Sequence, residues 1–150
     1  MTTIRPRILI ATGNPGKFRE IIAILAEAWP AAAPNWVSLA DLPSPPPEPD
    51  EHGRTFAEIA REKAIYYSAA TGLWTLADDS GLEVDALGGE PGVYSARYAG
   101  VNHLDDRRAA DAANNARLIE RLRGVPPERR TARFRCAAAL ADGPRILLEA

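Results

Sequence analysis

The sequence predicts an α/β domain, and three stretches predict it. Residues 7–12, "RILIAT", form a short apolar, partly β-branched run that passes directly into a Gly-Asn-Pro-Gly-Lys turn and an amphipathic helix. Residues 55–70 carry a helical apolar stripe and end at Gly72, followed at once by a second apolar run, "LWTLA", at 73–77. Residues 131–150 read as a strand, an Asp-Gly hairpin turn and a returning strand.

Each element has a local cause. Asn14 is a strong N-cap, and Pro15 loses nothing at the first helical position, where its missing N–H would have no intrahelical partner. Phe18, Ile21, Ile22, Leu25 and Trp29 recur on one face, and Pro30 stops the helix. "LPSPPPEPDEHG", 42–53, is an extended, proline-stiffened loop. Thr55 and Glu58 have capping-box spacing for the second helix. "LEVDAL", 82–87, alternates as a half-buried strand should, and "GGEPG" is the turn after it. Asp105 or Asp106 caps a third helix reaching about Leu122, with Ala109, Ala113, Leu118 and Leu122 toward the inside. In "TARFRCAAAL", Arg133 and Arg135 alternate with Phe134 and Cys136. No turn or cap follows Leu148, so residues 1–150 read as a single domain cut short inside a strand.

Composition narrows the function. With 150 residues the chain is long enough for one real core, and its 46% apolar and 25% charged content is that of a soluble globular protein. A net charge of −2 gives no reason to expect a nucleic-acid or membrane partner. The N-terminus lacks the pattern of a secretory signal, so the cytoplasm is the expected compartment. One cysteine, Cys136, excludes an internal disulfide and any multi-cysteine zinc site, and His52 and His103 stand far apart in sequence. Lys17 and Lys63 are the only two lysines among 18 basic residues, which suggests positions where a compact ammonium is wanted.

Three places could carry chemistry. The loop "TGNPGK" is neither a Walker A loop nor a G-x-G-x-x-G turn, because two residues separate Gly13 from Gly16 and Phe18 stands where Ser or Thr would be. A helix N-terminus with Lys17 in its first turn nonetheless suits an anion, and an anion would relieve the repulsion between Lys17 and the helix dipole. The other reading is an ordinary strand-turn-helix junction with an exposed lysine. Lys63 falls on the same face as Phe56, Ile59, Ala60, Tyr67 and Ala70, so it either snorkels or meets an anionic partner in a cleft. In "LADDSG", Asp78 and Asp79 sit where a strand leaves the core and point to opposite faces. Carboxylates there suit Mg²⁺ shared with phosphates, with Glu51 a further ligand; the plainer reading is an Asp-rich turn.

At this point the pattern resembles a known family. "ATGNPGK", "TFAEIAREKA", "ADDSGLEVDALGGEPGVYSARYAG" and "ARFRCAAAL" occur in the order and at the distances of the inosine triphosphate pyrophosphatases, also described as dITP/XTP or non-standard purine NTP pyrophosphatases. The resemblance covers essentially the whole chain. It implies an α/β fold with a long mixed sheet, flanking helices and two lobes about a central cleft. It implies a Mg²⁺-dependent hydrolase that converts ITP, dITP and XTP to the monophosphate and pyrophosphate, working as a cytoplasmic homodimer. Position by position it implies that Thr12, Gly13, Asn14, Pro15, Gly16 and Lys17 hold the triphosphate. Lys63 faces the phosphates and Ser80 touches substrate. Asp79 is the catalytic carboxylate and a metal ligand, Asp78 supports it, and Glu51 is the other metal-side acid. Two departures stand out. Ile59 occupies a position where the family commonly has Asn, and the family's base-binding segments, expected beyond residue 150, have no counterpart here. The alternative for this chain is therefore a non-catalytic remnant that binds phosphate or dimerises without turnover. A Maf-type pyrophosphatase is disfavoured by the "DDSG…YSARYAG" block.

Overall fold

The computed structural model describes residues 6–29, 34–101 and 106–150. Its strands are β1 (Arg7–Ile10), β2 (Asn35–Ser38), β3 (Trp74–Val84), β4 (Ala132–Asp142) and β5 (Arg145–Glu149), in the sheet order β2-β1-β3-β4-β5. The helices are α1 (Pro15–Ala28), α2 (Phe56–Thr71) and α3 (Arg107–Arg121). β1 pairs in parallel with β2 and β3, whereas β4 and β5 are antiparallel, so the sheet is mixed. The chain divides into two compact units: residues 1–53, 57–78 and 137–150 form one, and residues 54–56 and 79–136 the other.

The first unit contains the core of the sheet. Leu9, Ala11, Val37, Ala77, Ala139 and Ala141 present one continuous apolar face, and α2 lies on it through Ala60, Ala64 and Tyr67. Ala60 and Ala64 matter because small side chains at these contact positions let the helix pack close to the sheet. Helix α2 ends as its sequence requires, with Gly72 at a φ of +68° and its N–H donating to the Ser68 carbonyl at 2.9 Å.

Ser68, buried on α2, ties three elements together. Its hydroxyl donates to the Leu73 carbonyl at 2.7 Å, with the Ala141 carbonyl at 3.3 Å, and accepts from the Gly143 N–H at 2.7 Å. Ser68→Ala is expected to leave these groups unmet and to destabilise the chain by about 1–3 kcal/mol, measured as a lowered urea midpoint with unchanged slope. Tyr67, next to it, is buried, and burial together with the Glu48 carboxylate pushes its hydroxyl up to about 12. The folded chain therefore holds this proton more tightly than the unfolded chain, whose tyrosine titrates near about 10. The stability this group confers is complete below about pH 10 and is lost as pH rises toward 12. Tyr67→Phe is expected to flatten that alkaline fall in melting temperature.

The second unit is held by polar contacts. Glu83 and Asp85 face the arginines of β4: Arg135 Nε donates to Glu83 Oε2 at 2.9 Å, and Arg133 pairs with Asp85. The alternation of Arg133 and Arg135 with Phe134 and Cys136 is thus real, but Phe134 does not enter a core and is 83% exposed. Asp106 caps α3 by accepting the Ala109 N–H at 3.0 Å. The inner face of α3 is centred on Ala110 and Asn114, with Ala113 and Leu118 half-buried, and Ala109 points outward, one position from where the sequence put it. Asn114 fixes the loop before the helix, accepting the Ala99 N–H at 2.8 Å and donating to the Ala96 carbonyl at 3.1 Å.

The largest correction concerns β3. The sequence suggests two strands separated by an Asp-rich turn at 78–81, but residues 74–84 form one continuous strand, with the turn postponed to Asp85–Leu87. Gly81 shows why a turn-forming composition yields a strand. A β-carbon there would lie 2.5 Å from both the Gly92 carbonyl and Ser95 Oγ. Glycine is required by a backbone crossing rather than by a turn. Ser95 completes the crossing, accepting the Leu82 N–H at 2.9 Å and donating to the Gly92 carbonyl at 2.6 Å. Pro30 and Asp105 lie outside the described residues.

Candidate functional site

The loop between β1 and α1 is built by its own side chains. Asn14 Oδ1 accepts the N–H groups of Gly16 at 2.9 Å and Lys17 at 3.4 Å, and Thr12 Oγ1 accepts the Asn14 N–H at 3.1 Å. Two of the first helical N–H groups are therefore satisfied internally. The positive group this turn presents is the Lys17 ammonium, which forms an ion pair with the Asp78 carboxylate.

Lys63 reaches the same carboxylate-bearing residue from α2. Its Nζ donates to the Asp78 backbone carbonyl at 3.2 Å and lies 3.7 Å from Glu51 Oε1. Of the two readings for Lys63, the geometry is that of a lysine with an anionic partner. The side chains of Lys63 and Glu51 are each only 17% exposed, and that of Asp78 7%. Burying such charges without partners would cost several kcal/mol each. Two ammonium groups and two carboxylates have thus been drawn together from α1, α2, β3 and the proline-rich loop.

That loop is held by residues the sequence does not single out. Glu62 accepts the N–H groups of His52 at 3.0 Å and Gly53 at 3.1 Å, and the Tyr66 hydroxyl donates to the Pro47 carbonyl at 3.0 Å. These contacts set Glu51 beside Lys63. Gly53 fits because a β-carbon there would come within 2.8 Å of Ile59, a residue with no exposed surface. Where the resemblance expects Asn, Ile59 is thus fully buried. Asp79 and Ser80 follow Asp78 directly along β3 and belong to the second unit, Asp79 half-buried and Ser80 exposed.

The carboxylates present suit a hard cation. Every candidate ligand is an oxygen donor, as Mg²⁺ prefers, and Mg²⁺ is usually held by one or two carboxylates with phosphates and water completing its shell. Among the described residues no group of three or more His, Cys, Asp or Glu side chains is placed to form a complete protein-only cage.

Comparison with known proteins finds relatives that match the chain along most of its own length. The Ham1 family model matches residues 8–149. A dITP/XTP pyrophosphatase from Geobacter sulfurreducens is 53% identical over 136 residues, covering 91% of this chain and 63% of the relative. One from Thermus thermophilus is 49% identical, covering 90% of this chain and 59% of the relative. The chain thus spans about three-fifths of the length of these curated relatives. Among solved structures, a nucleoside-triphosphatase / dITP/XTP pyrophosphatase from Mycobacterium abscessus superposes with a TM-score of 0.71 at 40% identity, covering 96% of this chain and 70% of that one. A HAM1 protein from Coxiella burnetii gives a TM-score of 0.76 at 33% identity, covering 95% and 68%. With the matched stretch running from β1 to the last residue of β5, the chain belongs to the Ham1 family.

Proposed function

We propose that this chain carries the triphosphate-binding and hydrolytic part of a pyrophosphatase acting on non-standard purine nucleoside triphosphates such as dITP, XTP and ITP, releasing the monophosphate and pyrophosphate. The observation that carries the reading is the convergence of Lys17 and Lys63 on Asp78, with Glu51 beside Lys63. In the absence of an anion, each lysine rests on carboxylate or carbonyl oxygen. An arriving triphosphate offers both lysines stronger, charge-assisted partners. Their transfer would release carboxylate oxygens for the cation that accompanies the nucleotide. Glu51 and Asp79 are the residues that would hold Mg²⁺, which when bound neutralises phosphate charge and polarises oxygen ligands. Asp79 accepts the proton of the attacking water, with Asp78 supporting it. The water oxygen bonds to the α-phosphorus as the bond to the bridging oxygen breaks, and the electron pair leaves with pyrophosphate. Ser80 contacts the substrate, and residues 1–150 serve as one catalytic domain in a cytoplasmic homodimer.

The test is pyrophosphate release from dITP, XTP, ITP, dATP and dGTP in the presence of Mg²⁺. Release from the first three is the expected result, at a kcat/KM at least about tenfold above the last two where the base-binding segments are also present. Equal rates on all five would overturn the selectivity. A second reading, binding without turnover, draws on the chain's three-fifths coverage of its curated relatives. Saturable dITP binding with no pyrophosphate release would establish it in place of the first.

A further inference from the structure

Helix α2 holds Glu51 in two ways. Lys63 lies 3.7 Å from its carboxylate, and the residue before Lys63, Glu62, takes hold of the chain directly after it. A single oxygen, Glu62 Oε2, accepts the His52 N–H at 3.0 Å and the Gly53 N–H at 3.1 Å. The His52 N–H lies in the same rigid peptide plane as the Glu51 Cα, so the first of these bonds fixes the atom from which the Glu51 side chain departs. Hydrogen bonds to an ionised acceptor are the strong ones, and here two consecutive N–H groups share one. The segment has need of such an anchor. Glu51 and His52 lie outside any helix or strand, and Pro43, Pro45, Pro46, Pro47 and Pro49 upstream bring no N–H of their own. Gly53 runs so close to α2 that a β-carbon there would fall 2.8 Å from the Ile59 backbone nitrogen. Ile59 has no polar side-chain atom to offer the loop. Glu62, three residues on and therefore on the same side of the helix, supplies the polar contact. All of these residues belong to the first unit.

We infer that Glu62 is a positioning residue for Glu51. By clamping the peptide that follows Glu51 it keeps that carboxylate beside Lys63, and through Glu51 it sets the Mg²⁺ concentration that nucleotide binding requires. The inference rests on the reading of Glu51 as a metal-side acid. Glu62 itself touches neither nucleotide nor metal in this role. Removing a partner that orients a metal ligand typically costs roughly 10–100-fold in metal affinity.

The chain has two lysines, so lysine labelled with ¹³C at Cε gives two side-chain resonances, and the one lost in Lys63→Arg is that of Lys63. That resonance is recorded without nucleotide or metal. The Mg²⁺ dependence of binding is measured separately with an α,β-methylene analogue of dITP, which the reaction cannot cleave. Glu62→Ala is expected to keep its fold by circular dichroism and to move the Lys63 resonance toward its position in Glu51→Gln. It should raise the Mg²⁺ concentration for half-maximal binding at least about tenfold. Glu62→Asp, which keeps the charge but shortens the reach, should do the same. Glu62→Gln, which keeps the reach and an acceptor oxygen, should stay within about threefold of wild type. In a Glu51→Gln background, Glu62→Ala should add no more than about twofold, because its effect passes through Glu51. An unmoved Lys63 resonance or a wild-type Mg²⁺ requirement in Glu62→Ala and Glu62→Asp, with Glu51→Gln shifted, would overturn the positioning role and leave the reading of Glu51 standing. Equal losses in Glu62→Gln and Glu62→Ala would trace the effect to charge and overturn it too, as would full additivity with Glu51→Gln. A Mg²⁺ requirement that Glu51→Gln leaves unchanged would remove the reading of Glu51 and the inference with it.

Discussion

Asp79→Asn is expected to reduce the kcat for pyrophosphate release from dITP by about two or more orders of magnitude, the scale on which a general base contributes. The substitution preserves shape and hydrogen-bonding capacity while removing the charge needed both to accept a proton and to hold a cation. Because Asp79 is half-buried near the middle of β3, the amide should fit and melting should change little. Its neighbour is the informative control. Asp78 is buried and paired with Lys17, so Asp78→Asn leaves that ammonium without its carboxylate partner. Asp78→Asn should therefore lower melting temperature and raise KM, whereas Asp79→Asn should act chiefly on kcat and on the Mg²⁺ concentration that turnover requires. Rapid turnover by Asp79→Asn together with a collapsed kcat in Asp78→Asn would reverse the two assignments.

Lys17→Ala should lower kcat/KM by roughly ten- to a hundredfold, from the loss of a charged hydrogen bond worth about 1.5–3 kcal/mol. The effect should appear chiefly in KM if Lys17 grips the phosphates equally in the ground and transition states. It should also appear without nucleotide, because removing the lysine leaves the Asp78 carboxylate buried without this partner. Lys17→Arg is a demanding comparison. It keeps the charge but replaces a compact ammonium with a planar fork, so it should restore stability more fully than kcat/KM. Unchanged kinetics in Lys17→Ala would return this residue to an ordinary place at a helix start.

Where local chemistry decides the backbone, the sequence is easy to read. Asn14 and Pro15 start α1, Gly72 ends α2, Asp106 caps α3 and Gly143 turns the last hairpin, all by short-range rules. Lys63 is legible too, because a lysine on the apolar face of a helix needs a partner, and Glu51 is there. What the sequence conceals depends on contacts far along the chain. "DDSG" has the composition of a turn, yet the crossing of Gly81 with Gly92 and Ser95 leaves it extended. The inner face of α3 is displaced because alanines provide little contrast between faces, and the buried polar Asn114 counts as outward in any apolar pattern. Glu62 and Tyr66 escape notice for a related reason. Their partners lie 10 and 19 residues away in a proline-rich loop whose path no local rule specifies.

The most direct measurement is ³¹P NMR of the products formed from dITP with Mg²⁺ in water enriched in ¹⁸O. Pyrophosphate and dIMP in equal amounts, with the heavy oxygen on dIMP, are expected for water attack at the α-phosphorus. Orthophosphate with dIDP would contradict the proposed reaction, as would ¹⁸O incorporated into pyrophosphate rather than dIMP.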